Sequence, residues 1–138
     1  MSEAFNKNRM EVIKNLIRFL PFFQEHSPEE LYTHHPPKKQ KDGSIHIGYY
    51  SYHPKISEFF EVLYDHNLHV ADYVGKIGWE QLEDEQWIQQ ADLYDLRLAL
   101  TFLARSEKWA DGSWERALKN ELFEMLLERL KKVHEQIS

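Results

Sequence analysis

The chain has 138 residues, 42% of them hydrophobic and 14% aromatic, and carries a formal charge of −6 with histidine neutral. That length predicts one domain with its core over about residues 8–134, and that composition excludes a disordered chain. The absence of cysteine excludes disulfides and thiolate chemistry and points to a reducing, cytoplasmic setting, while the acidic balance makes a duplex nucleic-acid partner an unfavourable reading.

The N-terminal stretch "MSEAFNKNRMEV" has no basic start followed by an apolar run, so no signal peptide is expected. The neighbouring "VIKNLIRFLPFF" carries Lys14 and Arg18 and is too short to span a bilayer, so no membrane association is expected either. Met10, Ile13, Leu16, Ile17 and Leu20 recur at helical steps, which predicts a helix over 5–20 that Pro21 ends or kinks. "HSPEEL" offers Ser27 as N-cap, Pro28 at the first helical position and Glu30 three residues after the cap, so a short helix is expected around 28–34. "HHPPKKQKDG" reads as a loop, and its basic run as a solvated one.

"SIHIGYYSY" is the strongest strand signal. In an extended chain Ile45, Ile47 and Tyr49 share one face, and His46, Gly48, Tyr50 and Tyr52 the other. The expectation is a small strand or hairpin near residues 44–52, with Tyr49 filling the core and Tyr50 and Tyr52 lying over helices. Pro54 can open a helix with a stripe at Ile56, Phe59, Phe60, Leu63 and Tyr64. Residues 70–90 predict one short helix before Glu83 and another at 84–90. Leu93, Leu96, Leu100 and Leu103 then mark a central helix over about 92–108, and Leu118, Leu122, Met125, Leu126, Leu130, Val133 and Ile137 mark a helical return. The fold class is therefore mainly α, an irregular or orthogonal bundle of five to seven helices with one small strand or hairpin.

The candidate site is the junction "RSEKWADGSWER". Gly112 can take the left-handed conformation that ends a helix, Ser113 can cap the next one, and Glu115 suits its first turn. Arg105, at the edge of the apolar stripe, is expected to find a carboxylate partner. In a functional reading Arg105, Glu107, Asp111 and Glu115 converge on a ligand walled by Trp109 and Trp114. Tyr50 and Tyr52 supply a second set of binding side chains, large in area and low in entropy cost. Six of the eight histidines fall between 26 and 66, and His66 and His69 stand three apart at a helix end. They are a weak metal alternative, since no HExxH-type pair occurs; no cofactor is implied. Nucleophile-elbow, phosphate-loop and dinucleotide motifs are missing.

The C-terminal third resembles the bacterial domain-of-unknown-function family 6508. The residues that carry the likeness are Leu100, Thr101, Arg105, Glu107, Trp109, Asp111, Gly112, Leu126, Leu127, Arg129 and Leu130, and "YYSYHPKISEFFEVLYDHNL" is similar to that family's aromatic strand and following helix. The chain departs from it at Trp109, where the family tends to Phe, and near Asn120, where it tends to Gly. The resemblance implies a helical domain in a prokaryotic or phage setting and transfers no activity. The residues are best read as a small cytosolic interaction module that takes a protein partner or a small anionic ligand at the Arg105–Glu115 corner together with the Tyr49–Tyr52 segment. Two alternatives are a hydrolytic enzyme, possibly metal-dependent, using Glu107, Asp111 or histidine, and a structural homodimer.

Overall fold

The computed structural model describes residues 3–137. Among them the chain runs through α1 (Glu3–Ile17), α2 (Leu20–Glu25), α3 (Pro28–Leu31), β1 (Tyr32–His35), β2 (Lys38–Lys39), β3 (Ile45–His46), β4 (Tyr49–Tyr52), α4 (Pro54–Asp65), α5 (Trp79–Leu82), α6 (Glu85–Gln90), α7 (Leu93–Trp109), α8 (Ser113–Lys119) and α9 (Leu122–Ile137). The mainly helical architecture follows the apolar periodicity. There are more helical segments than the five to seven expected because two predicted helices are divided, the first between Ile17 and Leu20 into α1 and α2 and the C-terminal return between Lys119 and Leu122 into α8 and α9.

α7 lies at the centre. Leu96, Ala99, Leu100 and Leu103 are buried against Ile56, Phe59 and Leu63 of α4 and against Leu122, Phe123, Leu126 and Leu130 of α9. Phe23 of α2 stacks on Phe123 at 4.7 Å, and Phe59 meets both rings edge-on, so one aromatic cluster joins α2, α4 and α9. Burying each such ring contributes roughly 2–3 kcal/mol.

Two boundaries differ from the sequence reading. Pro21 opens α2 instead of ending a longer helix, because its missing amide is no loss in a first turn. α3 stops at Leu31: Glu30 accepts from the Ser27 amide and hydroxyl, each at 3.0 Å, but the chain turns extended at Tyr32.

That extended segment is the partner the 44–52 strand needs. β1 and β4 pair antiparallel, with Tyr32 opposite Tyr52 and His34 opposite Tyr50. β2 and β3 continue the same register, Lys38 opposite His46 and Lys39 opposite Ile45. The two ladders are halves of one hairpin over 32–52, interrupted where Pro36 and Pro37, which have no amide to donate, face Ile47 and Gly48. A side chain at Gly48 would meet Pro37 Cδ at 2.8 Å and the His35 carbonyl oxygen at 2.9 Å, so only glycine permits this approach. The tip is closed by Asp42, whose carboxylate accepts from the Ser44 amide and hydroxyl.

Tyr49 does not fill the core as expected. Ile45 and Ile47 are 70% and 84% exposed, and Tyr49 lies outward as well. Tyr50 and Tyr52 face the helices as predicted. Two aromatic rings with hydroxyls that reach acceptors gain more from that surface than two aliphatic side chains do.

Candidate functional site

The α7–α8 corner is built around Glu107. Its Oε1 accepts from the Tyr52 hydroxyl at 2.9 Å and from the Trp114 amide at 2.9 Å, and its Oε2 accepts from the Gly112 amide at 2.8 Å. A carboxylate thus satisfies amides at the start of α8 that would otherwise lack partners, and meets the positive end of that helix. Gly112 holds φ at +89°, as its place in the turn predicts. Ser113 does not cap the helix. Its Oγ donates to the Ala110 carbonyl at 2.7 Å, and the cap comes from Glu107 in the preceding helix.

The inner face of the hairpin completes the corner. His34 stacks on Tyr50 at 4.5 Å, Tyr50 lies parallel to Tyr52 at 6.0 Å, and Tyr52 meets Trp114 edge-on at 5.1 Å. The Tyr50 ring covers Gly112, and its hydroxyl bonds Glu115, which also pairs with Lys119 at 2.7 Å. Burial, and then the bond to the Glu107 carboxylate, push the Tyr52 hydroxyl far above the usual tyrosine range; Lys119 and Tyr50 hold Glu115 below the usual carboxylate range. Trp114 is packed against Phe60 at 5.1 Å, and its indole N–H donates to the Leu103 carbonyl at 2.6 Å.

The expected convergence of charges on one ligand is not what the corner does. Glu107, Trp114, Tyr50 and Tyr52 come together, but their polar atoms are already bonded within the protein: Tyr52 and the Trp114 amide to Glu107, the Trp114 indole to Leu103, and Tyr50 to Glu115. Arg105 is exposed, and among the described residues it makes no ion pair with an acid. Its side chain lies on the wet side of the stripe, where water solvates the guanidinium and no partner is needed. Asp111 is exposed as well. Trp109 and Trp114 do not wall one pocket: they line separate ones.

Trp109 is 72% exposed at the mouth of a notch of about 130 Å³ lined by Tyr73, Trp79, Phe102, Ser106, Ala110 and Ser113. Trp79 and Phe102 meet edge-on at 5.6 Å, and the Arg116 guanidinium covers Trp79 at 4.2 Å while pairing with Glu83. Lys108 lies over the Trp109 ring at 5.7 Å and has no carboxylate partner among the described residues. Arg105 and Trp109 are four residues apart on α7, hence on one helix face. The sequence reading missed Tyr73, Trp79 and Phe102; no local pattern ties those three positions together.

The two histidines of the weaker metal reading part company. His66 is exposed beyond the end of α4, while His69 stacks on Tyr64 at 4.4 Å with its Nδ1 buried and unpartnered. Among the described residues no three His, Asp or Glu side chains group as metal ligands. Nor is any described helix long and apolar enough to cross a membrane.

A mainly α domain with a tyrosine-faced hairpin braced against a helix junction is the class these features define. Residues 8–136 match the family of unknown function DUF6508, nearly the whole chain, and the protein belongs to that family. No curated protein and no solved structure gives a significant match.

Proposed function

We propose that this protein is a recognition module of the cytoplasm that binds a peptide segment in which a bulky apolar residue stands next to an acidic one. The observation that carries this reading is Trp109, a large aromatic side chain left in water beside an aromatic-lined notch. Tryptophan is among the side chains that most often dominate binding energy, and this indole does not stand alone but beside Tyr73, Trp79 and Phe102. The notch formed with Tyr73, Trp79 and Phe102 suits one apolar side chain. Arg105 and Lys108, free of acidic partners, supply charge-assisted donors for a carboxylate beside it, and Asp111 stands on the adjacent turn for a backbone amide. The lack of cysteine supports a reducing compartment.

The hydrolytic alternative loses its best acid, since both oxygens of Glu107 are held by structural donors. A homodimer covering Trp109 is tested by the same variant used below.

Selection of random peptides displayed on phage against the full chain, followed by calorimetry of the selected peptides, tests the proposal. The expected motif pairs Asp or Glu with Leu, Phe or Trp. Trp109→Ala should weaken binding at least tenfold, and Arg105→Ala with Lys108→Ala should flatten its salt dependence. Failure to enrich such peptides, undiminished binding to the Trp109 variant, or a concentration-dependent dimer that Trp109→Ala dissolves would overturn it.

A further inference from the structure

Elsewhere on the surface, α4, α7 and α8 border a second cleft, shallow and open to solvent, of about 330 Å³, lined by Phe60, Tyr64, Trp114 and Ala104 with Ser57, Glu61 and Asp65. Tyr64 and Trp114 are half-buried at this cleft, and Phe60, buried at 6% exposure, packs against Trp114. His69 stacks on one face of Tyr64, and Trp114 is fixed by its bond to Leu103, so two of these rings are held in place before any ligand arrives. Beside them Glu61 and Asp65 are exposed, and among the described residues neither has a hydrogen bond or ion pair.

Those two carboxylates stand in a costly arrangement. They are four residues apart on one helix, where like charges repel. They also occupy the last turns of α4, next to the negative end of its dipole, with no basic residue there to offset them. Local choices that work against the fold are expected where a site requires them. Here they give an aromatic cleft a negative field, the combination that attracts a cation whose charge is spread over methyl groups: rings offer their negative faces, and the carboxylates supply the counter-charge without demanding a hydrogen-bond donor.

We infer that the Phe60–Tyr64–Trp114 cleft is a binding site for an alkylated ammonium group, of the trimethylammonium type. It is separate from the Trp109 notch and does not depend on it.

The test is an NMR titration of the full chain with tetramethylammonium chloride, in parallel with 3,3-dimethyl-1-butanol, which offers a neutral group of the same shape. The expected result is a saturable shift of the Trp114 indole N–H with the ammonium and at least tenfold weaker binding of the alcohol. Glu61→Gln with Asp65→Asn should weaken the ammonium at least tenfold and raise the melting temperature of the free protein, since the repulsion is removed. Trp109→Ala should leave the titration unchanged, which separates this site from the peptide notch. No saturable shift, equal binding of the alcohol, or a double variant that binds as the parent does would each overturn the assignment.

Discussion

Glu107 caps a helix that it does not belong to: its carboxylate, in the last turns of α7, accepts the Gly112 amide at 2.8 Å five residues on, across the turn into α8. An acid there opposes the dipole of its own helix and favours that of the next, and the three hydrogen bonds decide the balance.

Glu107→Ala should therefore destabilise the fold by about 3 kcal/mol, since three donors lose a charged acceptor, and Glu107→Gln by about 1–2 kcal/mol. Tyr52→Phe removes one of the donors and should cost about 1 kcal/mol. Urea denaturation of both singles and the double variant gives the coupling, expected near 1 kcal/mol. Additive effects would show that the Tyr52–Glu107 bond contributes nothing.

Gly112 and Gly43 both hold positive φ, +89° and +92°, but a Cβ at Gly112 would stand 3.1 Å from the Tyr50 hydroxyl oxygen and one at Gly43 would meet nothing. Gly43→Ala should cost about 1 kcal/mol, the backbone penalty alone. Gly112→Ala should cost about 1–3 kcal/mol more, because Tyr50 must move off the turn. Denaturation midpoints of the two variants measure the difference.

The two tryptophans of the junction should separate cleanly. Trp114→Phe leaves the Leu103 carbonyl without its indole donor and loosens the packing against Phe60, a loss of about 2 kcal/mol. Trp109→Ala, in water already, should change stability by no more than about 0.5 kcal/mol. Thermal unfolding of each variant checks both.

Glu124 is the group whose titration should be visible in stability. Burial, reinforced by Glu121 and Glu128, raises its pKa from 4.5 to about 7. Between those values the folded state holds a proton that the unfolded state has released, so stability should fall as pH rises from about 4.5 to 7 and level off above. Glu124→Gln should remove that slope and be more stable than the parent at pH 8 by about 1–2 kcal/mol, allowing for partial solvent contact, and equal to it near pH 4. Below this window the slope reverses, because Glu115 is held low by Lys119 and Tyr50 and loses those partners when protonated. Urea titrations at five or six pH values would trace both limbs.

The helices of the C-terminal half were legible because their stripes are long: Leu93 through Leu103 and Leu122 through Val133 each repeat over three or more turns. So was Gly112, whose turn requires positive φ. β1 was not. Four residues leave no period to read, and "YTHH" becomes a strand because Tyr32 and His34 pair with Tyr52 and Tyr50 far along the chain. The site divides in the same way. Sequence position alone marks Trp109 and Gly112 as noteworthy, but whether Glu107 faces a ligand or the next helix depends on how the chain folds back. Arg105 shows the limit of a stripe argument, since one step of 100° separates the buried edge from open water.

From the break at Pro36 and Pro37 outward, residues 36–47 of the hairpin are exposed, so this part stands out as an arm. Amide exchange along the hairpin should run as a gradient, slow at Tyr52 and fast from Gln40 to Ser44. For the same reason the tip, closed by Asp42 and Gly43, is where a fluorophore or a spliced-in peptide can be carried with the least disturbance to the helices.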